Sequence, residues 1–367
     1  MEYLEPVAVE AEPLPDEFSS SRLRRSLLIV AAIVLVVVAA IVLVPGLGSL
    51  RERFMGAQPG WLALAAVLQL GSCASYVLAF RAVFCRRMSW RTSGEIGLSE
   101  LAANSVFSVG GAGGLALGAW ILRRGGLPAA FIARRTVAFF LLTSLANVSF
   151  LALGGVALAT GVLNGSPGLL LGLIPAVTGV AAIAFALGAR RVAGALARRS
   201  MRARLVAAAG AVGDGVDEAL RLVRTGDPAI LAGTSGYMLF DVAMLGVCFA
   251  AFGNDVPPAG VLLVAYIIGQ LGSLIPIPGG IGGVDAGLIG TLVLYGVDAS
   301  DAAVAVLAYR GLLLSIPALV GLPALAVLRR RLRDEAHDIA ACAPGESVEV
   351  LGRGVVQRPE PVARAAG

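Results

Sequence analysis

The sequence predicts an all-α polytopic membrane protein, and three observations carry this prediction. Of its 367 residues, 57% are hydrophobic and only 14% are charged, and the mean hydropathy is +0.85. Apolar stretches of about 20 residues recur, and this length crosses a hydrocarbon core of about 30 Å. A glycine pattern also occurs twice within apolar sequence, as GGAGG at 110–114 and GGIGG at 279–283. Such a composition lies outside the range of soluble domains.

The spans follow an acidic, proline-containing segment, residues 1–25, for which we predict a disordered tail. The first span follows SRLRR and ends in VPGLG without a small-residue cleavage site, so we expect a retained anchor instead of a signal peptide. We predict about six full transmembrane helices, at 26–44, 61–80, 136–160, 169–188, 229–252 and 302–326.

Arginine positions predict the orientation, because loops left in the cytoplasm are enriched in basic residues. With the N-terminus inside, 23 arginines fall in cytoplasmic segments, against Arg51 and Arg53 outside. We therefore expect a plasma-membrane protein with both termini in the cytoplasm. The basic linker 189–228 is predicted to form one or two helices on the anionic inner leaflet, or alternatively a solvated loop helix. Residues 329–367 are predicted to form a mostly disordered cytoplasmic tail.

Two further apolar regions, 95–122 and 259–297, are interrupted by the glycine patterns. Arginines flank the first at both ends, and its 28 residues are too few for two crossings, so we predict a re-entrant hairpin. The second starts and finishes outside, as another hairpin or as two short spans. Glycine permits positive φ and proline ends a helix. The predicted tips, or gates, comprise Gly110, Gly111, Gly113, Gly114, Pro276, Pro278, Gly279, Gly280, Gly282 and Gly283.

A shift of 169 residues relates the two halves of the predicted transmembrane domain, 26–328. It maps the span that begins near 61 onto 230, and the span at 136–160 onto 305–329. We predict an inverted-topology repeat with units at about 61–160 and 229–326, in which a binding site lies near the membrane midplane. The alternative is that the glycines only allow close helix packing.

Polar and ionisable groups inside spans are expensive, and they are the candidate substrate-binding residues. Arg310 and Asp241 fall at middle depth, Asp285 follows the second glycine pattern, and Glu100 and Asn104 precede the first. The planar guanidinium of Arg310 suits a lipid phosphate. The alternative is a structural ion pair between Arg310 and either aspartate, and the two interpretations are compatible.

Residues for catalysis or metal binding are sparse. The single histidine, His337, lies outside the spans, and neither glycine pattern has the Lys-Ser/Thr ending of a P-loop. We therefore expect no catalytic residues, no metal, no cofactor and no nucleic-acid partner. The four cysteines show no CxxC spacing, so we expect them to pack in the core without a disulfide framework.

The segments LGSLIPIPGGIGGVDAGLIGTLVLYGV, AYRGLLLSIPALVGLPAL, GGAGGLALGAWILRRGG and LFDVAML resemble the transmembrane, flippase-like domain of lysylphosphatidylglycerol synthases. The resemblance covers roughly residues 20–330. It implies roles for Tyr309 and Arg310 together with the second glycine pattern. Asp285 departs from the family, which usually has Glu there, and the first hairpin lacks the proline often seen before its glycines.

The resemblance implies lipid movement between leaflets. Full-length synthases add an aminoacyl transferase domain, and only about 40 residues follow the last span here, too few for such a domain. We expect a lipid transporter or flippase that acts on an anionic phospholipid or a lipid-linked phosphate. The alternatives are a non-catalytic scaffold for a separate synthase or glycosyltransferase, and a membrane enzyme of lipid metabolism. A homo-oligomer is also left open.

Overall fold

The computed structural model describes residues 48–106, 112–161, 169–199, 203–274, 280, 282–342, 350–351 and 354–355, and within them the protein is almost entirely helical. A two-residue strand pair, β1 (Val350–Leu351) and β2 (Gly354–Val355), is antiparallel. A 3₁₀ turn, Leu271–Leu274, extends α9. The helices are α1 (Gly48–Met55), α2 (Pro59–Phe84), α3 (Trp90–Val106), α4 (Ala112–Arg124), α5 (Ala129–Ala159), α6 (Leu169–Arg199), α7 (Ala203–Arg224), α8 (Pro228–Ala251), α9 (Ala259–Gln270), α10 (Gly283–Leu294) and α11 (Ala299–Ala340).

Four of these helices are long and apolar enough to cross a membrane: α2, α5, α8 and the first 33 residues of α11. They correspond to four of the six predicted spans. The span predicted at 26–44 lies outside the described residues, as does the tail at 1–25. The span predicted at 169–188 falls on α6, where the apolar part is shorter, Leu169–Ala184.

The helix starts show the internal repeat directly. Pro59 begins α2 and Pro228 begins α8, and the difference, 228 minus 59, is 169. Trp90 begins α3 and Ala259 begins α9, again 169 residues apart. The starts of α4 and α10, and of α5 and α11, follow within two residues of the same shift. Units α2–α5 and α8–α11 are therefore two copies of one arrangement.

The packing of the helices also follows the repeat. The two first helices, α2 and α8, pack against each other along their lengths at the centre of the molecule. Around them, α3 of the first repeat packs on α11, and its counterpart α9 of the second repeat packs on α5. Each broken hairpin therefore packs against the last helix of the other repeat. Helices α6 and α7 lie outside the repeat and pack on α5.

Helices α3 and α4 form the first hairpin. With 17 and 13 residues they measure about 25 Å and 20 Å at ~1.5 Å per residue, so neither spans the bilayer alone. Both outer ends meet the end of α11: the Asp338 carboxylate accepts from Ser89 N at 2.9 Å, and Ile339 packs where a Cβ at Gly125 would be. The hairpin therefore enters and leaves at one end of the bundle, as predicted.

The second hairpin, α9 and α10, enters and leaves at the opposite end. There Gln58 N donates to Ala251 O at 2.8 Å, just before α9. Arg53 pairs with Asp301, just after α10. Helices α9 and α10 have 12 residues each, about 18 Å at ~1.5 Å per residue, so neither crosses a hydrocarbon core of about 30 Å. Of the two alternatives left open for 259–297, the structure therefore has the hairpin. Two oppositely directed hairpins in an inverted repeat confirm the predicted fold class.

A disulfide between Cys85 and Cys342 corrects the expectation that the cysteines only pack. It joins the end of α2 to the end of α11, with Cα atoms 5.8 Å apart and 257 residues between them in sequence. Spacing could not reveal a pair brought together by the fold. Cys73 and Cys248 are buried and free, as expected of packing residues.

Helices α6 and α11 both continue beyond the predicted spans. Helix α6 runs to Arg199, into the predicted linker, and α11 runs to Ala340, into the predicted tail. Hydropathy marks where a span leaves the membrane. It does not mark where a helix ends, because Ala, Leu, Arg and Glu in these segments are good helix formers.

Helix α7 in the linker is held on α5 by charge. Glu218 is buried among arginines, with Arg135 Nη2 3.3 Å from its carboxylate and Arg221 in the same cluster. Burial raises the pKa of Glu218, but the hydrogen bond from Arg221 and the neighbouring arginine charges outweigh it, so the pKa lies below its usual value. The predicted linker helix is therefore docked on the bundle.

Candidate functional site

The second glycine pattern forms a tight tip between α9 and α10. Pro276, Pro278 and Gly279 lie outside the described residues, while Gly280 and Gly282 have φ of 62° and 89°. Only glycine adopts such values at low cost. Gly272 and Gly283 meet backbone to backbone, so that a Cβ on Gly272 would overlap the Gly283 carbonyl. The glycines thus serve a sharp turn and a close approach of two half-helices.

Asp285 and Arg310 meet at this tip. Asp285 Oδ2 accepts from Gly282 N at 2.7 Å, which caps α10, and Oδ1 accepts from Arg310 Nε at 2.8 Å. Arg310 is only 8% exposed. A Cβ on Gly280 would lie 3.5 Å from Arg310 Nη2, so the guanidinium extends alongside the tip. Of the two ion-pair partners left open for Arg310, the structure has Asp285.

Tyr309 precedes Arg310 but points elsewhere, because neighbouring residues on a helix are about 100° apart. It is fully buried, and its hydroxyl has no hydrogen-bond partner within the described part of the chain. The ring lies close enough to Asp241 for an electrostatic interaction. Helix α11 therefore brings one polar side chain to the hairpin tip and another to the centre of the bundle.

Asp241 lies at that centre, on α8, and is 1% exposed. Its Oδ2 accepts from Tyr266 Oη of α9 at 3.1 Å, and its Oδ1 has no partner among the described residues. Ser72 of α2 lies beside the carboxyl and donates its own hydrogen bond to Tyr237 O at 3.2 Å. The immediate surroundings of Asp241 thus supply hydroxyl groups.

The position of Asp241 is set by the repeat. Its counterpart is residue 241 minus 169, which is Ser72, the residue beside it. The preceding residue, Phe240, also lies beside its own counterpart, Gly71. A Cβ on Gly71 would lie 3.1 Å from the Phe240 ring. Counterparts that touch each other lie on a two-fold axis. In an inverted repeat this axis runs in the membrane plane, so we expect Asp241 to lie near the middle of the membrane.

The first hairpin uses polar side chains as internal links. Asn104 Oδ1 accepts from Gly114 N at 2.8 Å, near the start of α4. Glu100 is 1% exposed, and its Oε2 accepts from Tyr76 Oη of α2 at 2.7 Å. Its carboxyl occupies the space that a side chain at Gly118 would fill. Gly113 lies in the first turn of α4, and Gly110 and Gly111 lie outside the described residues.

The candidate residues therefore form three groups. Arg310 and Asp285 meet at the second tip, Asp241 lies at the axis with Tyr309 within electrostatic range, and Glu100 and Asn104 each bond within or beside the first hairpin. The sequence motifs did not point to three further residues, Tyr266, Tyr76 and Gly118. Tyr266 and Tyr76 are 25 and 24 residues from the carboxyls they bond, so no local spacing points to them.

A groove of about 170 Å³ lies elsewhere, between α5, α8 and the end of α7. Its walls are mostly apolar, with Leu142, Phe150 and Ile230 among them, and Thr234 and Ser235 add hydroxyl groups. No predicted site residue lines it. Within the described residues, no group of three or more His, Cys, Asp or Glu could hold a metal ion.

Fold and geometry together define a polytopic membrane protein built from an inverted repeat with two broken hairpins. A family model described as Lysylphosphatidylglycerol synthase TM region matches residues 28–321. The chain belongs to this family, as the sequence motifs indicated. No curated protein matches the chain.

Proposed function

We propose that this protein moves an anionic phospholipid, or a lipid-linked phosphate, between the leaflets of the plasma membrane, with both its termini in the cytoplasm. The observation that carries the proposal is the placing of Arg310 at the tip of a broken hairpin inside an inverted repeat. Buried cations in membrane helices are expensive and belong to substrate pathways by default. In transporters built from inverted repeats, the binding sites lie where the broken helices meet.

The pairing of Arg310 suits a site that binds and releases phosphate. Asp285 orients the guanidinium in the empty state through Arg310 Nε. An arriving phosphate competes for the same donor, since guanidinium binds phosphate and carboxylate with the same planar geometry. Asp285 keeps its second hydrogen bond to Gly282 N during this exchange, so the tip stays capped. The ion pair and the phosphate site are then two states of one group.

The glycine tip supports the same interpretation. Gly280 lies beside the guanidinium with positive φ, so a side chain there would be strained and would contact Arg310. A bare backbone leaves room for a headgroup next to the charge. We propose a transporter and no enzyme, in which the acyl chains stay in the bilayer while the headgroup passes between the repeats.

Reconstitution tests the proposal. Purified protein is placed in vesicles containing either a fluorescent phosphatidylglycerol or a fluorescent polyprenyl phosphate, and lipid exposure to an outside quencher is followed. We expect Arg310→Ala to slow exchange by at least about tenfold, because a hydrogen bond to a charged group contributes roughly 1.5–3 kcal/mol. Arg330→Ala, an exposed arginine on the same helix, is the matched control and should keep the wild-type rate.

Other outcomes identify the alternatives. If the wild type moves neither lipid and Arg310→Ala changes nothing, the transporter proposal fails in favour of a scaffold for a separate synthase or glycosyltransferase. Chemical conversion of lipid in detergent, where leaflets do not exist, would instead show an enzyme.

A further inference from the structure

The carboxyl of Asp241 is a feature that headgroup binding at Arg310 does not use. It lies on the pseudo-two-fold axis, between α2 of the first repeat and α8 of the second, and is 1% exposed. The counterpart, Ser72, carries no charge, so the axis holds a single carboxyl. A group on this axis is equally distant from both membrane faces.

The ionisable groups that face Asp241 come from four helices: Cys73 of α2, Tyr237 of α8, Tyr266 of α9 and Tyr309 of α11. All are uncharged near neutral pH. Arg310, which follows Tyr309 in sequence, directs its Nε to Asp285 and interacts with Tyr309. Helix α5 also packs against α8. Its described arginines, Arg134 and Arg135, pair with Glu218.

An ionised carboxylate in such a place lacks compensation. Ionised groups away from water need counter-charges or several hydrogen bonds, and a group without them neutralises. Asp241 has one hydrogen bond on Oδ2 and none on Oδ1 among the described residues. A proton on Oδ1 removes the charge, and the Tyr309 hydroxyl, which has no partner in the described part of the chain, lies within electrostatic range of the carboxyl.

We propose that Asp241 is the proton-carrying group of the transport cycle, so that lipid movement is coupled to proton movement. This inference rests on the proposed function. Asp241 takes a proton from water on one side of the membrane and releases it to water on the other, without any other bond changing. Its neighbours come from both repeats, Ser72 and Cys73 from the first and Tyr266 and Tyr309 from the second, so rocking of the repeats changes its surroundings.

Helix α11 links this proton site to the headgroup site. Tyr309 faces Asp241 and the next residue, Arg310, reaches the hairpin tip. A shift of α11 that accompanies phosphate binding therefore alters the groups around Asp241. The coupling is short and runs through one rigid helix.

The test uses the full chain in phosphatidylcholine vesicles that contain fluorescent phosphatidylglycerol, with a pH-sensitive dye trapped inside. A gradient of one pH unit coupled to one proton per lipid shifts the leaflet ratio of the lipid by about tenfold, in either direction, because each pH unit is tenfold in proton activity. We expect Asp241→Asn to lose both the gradient-driven shift of the leaflet ratio and the lipid-dependent proton flux. Asp255→Asn, in an exposed loop, should behave as wild type.

A second measurement does not depend on lipid movement. Infrared spectra of the purified protein should show the carbonyl band of a protonated carboxyl at neutral pH that disappears in Asp241→Asn. The same band should shift in Tyr266→Phe, which removes the hydrogen bond to Oδ2. Tyr266→Phe keeps the test valid if Asp241→Asn does not fold.

The outcomes separate the two proposals. Lipid exchange that ignores the pH gradient overturns the proton coupling and leaves the proposed function standing. A protein that moves no lipid but shows the Asp241 band overturns the proposed function and the coupling with it, and leaves only a protonated carboxyl at the axis. The absence of that band overturns the proton site in either case.

Discussion

At the scale of single residues, the Glu100 carboxyl fits into the structure only because residue 118, on the facing helix, is a glycine. It fills the space where a Cβ on Gly118 would be, with its hydrogen bond from Tyr76 at 2.7 Å. The shift of 169 maps Glu100 to Gly269 and Gly118 to Gly287, and those two glycines also touch: a Cβ on Gly287 would lie 3.1 Å from Gly269 Cα. One contact thus occurs in both hairpins, and only the first holds a carboxyl.

We expect Gly118→Ala to destabilise the protein by about 1–3 kcal/mol, the usual cost of overpacking, because the new methyl displaces the Glu100 carboxyl from Tyr76. Thermal unfolding in detergent measures this. Gly94→Ala, in α3 with no atom within 4 Å of the added Cβ, should be neutral or stabilising. The cost of Gly118→Ala should also fall in a Glu100→Ala background. Equal stability of the Gly118 and Gly94 variants would contradict this account.

The sequence identified candidate residues better than it identified their partners. Asp241, Arg310 and Glu100 were found because ionisable groups stand out in apolar sequence. Their tyrosine partners do not stand out, since tyrosine carries no charge and several of the tyrosines could have served. The choice between Asp241 and Asp285 for Arg310 depended on helix rotation, which hydropathy does not determine.

At the scale of elements, glycines also set how the first hairpin meets the last helix. Gly321 of α11 lies so close to α3 that a Cβ there would overlap the backbone carbonyl of Leu98. A backbone atom cannot rotate away, so the helices themselves have to separate. This contact belongs to the α3–α11 packing, in which each hairpin leans on the other repeat.

We therefore expect Gly321→Ala to lower stability by about 1–3 kcal/mol or more, through separation of α11 from α3. Gly311→Ala on the same helix is the matched control, because nothing lies within 4 Å of its added Cβ. Denaturation in detergent with a fluorescence readout compares the two. A Gly321 variant as stable as the Gly311 variant would show that α3 and α11 are not packed this closely.

Sequence prediction of the elements succeeded where periodic features repeat. The shift of 169, read from glycines and spans, agrees with the helix starts at Pro59 and Pro228. It failed for helix ends, since α6 and α11 continue into polar sequence, and for the Cys85–Cys342 bond, which only the folded chain brings together.

At the scale of the whole molecule, two features give opposite indications of orientation. The end that carries the entry of the first hairpin holds most of the arginines, which favours the cytoplasm. The Cys85–Cys342 disulfide lies at this same end, and disulfides are rare in the cytoplasm. We weigh the arginines more heavily, because 23 arginines against two is a bias along the entire chain.

Thiol labelling in intact cells decides the orientation and tests both hairpins together. Single cysteines are introduced at four exposed positions: Arg91→Cys and Ala129→Cys flank the first hairpin, and Asp255→Cys and Ala299→Cys flank the second. We expect a membrane-impermeant reagent to label the second pair from outside and to reach the first pair only after the membrane is opened. The unmodified chain gives the background, since its free cysteines, Cys73 and Cys248, are buried. The reverse pattern would place the disulfide outside and invert the orientation, whereas different labelling of Arg91→Cys and Ala129→Cys would exclude a re-entrant first hairpin.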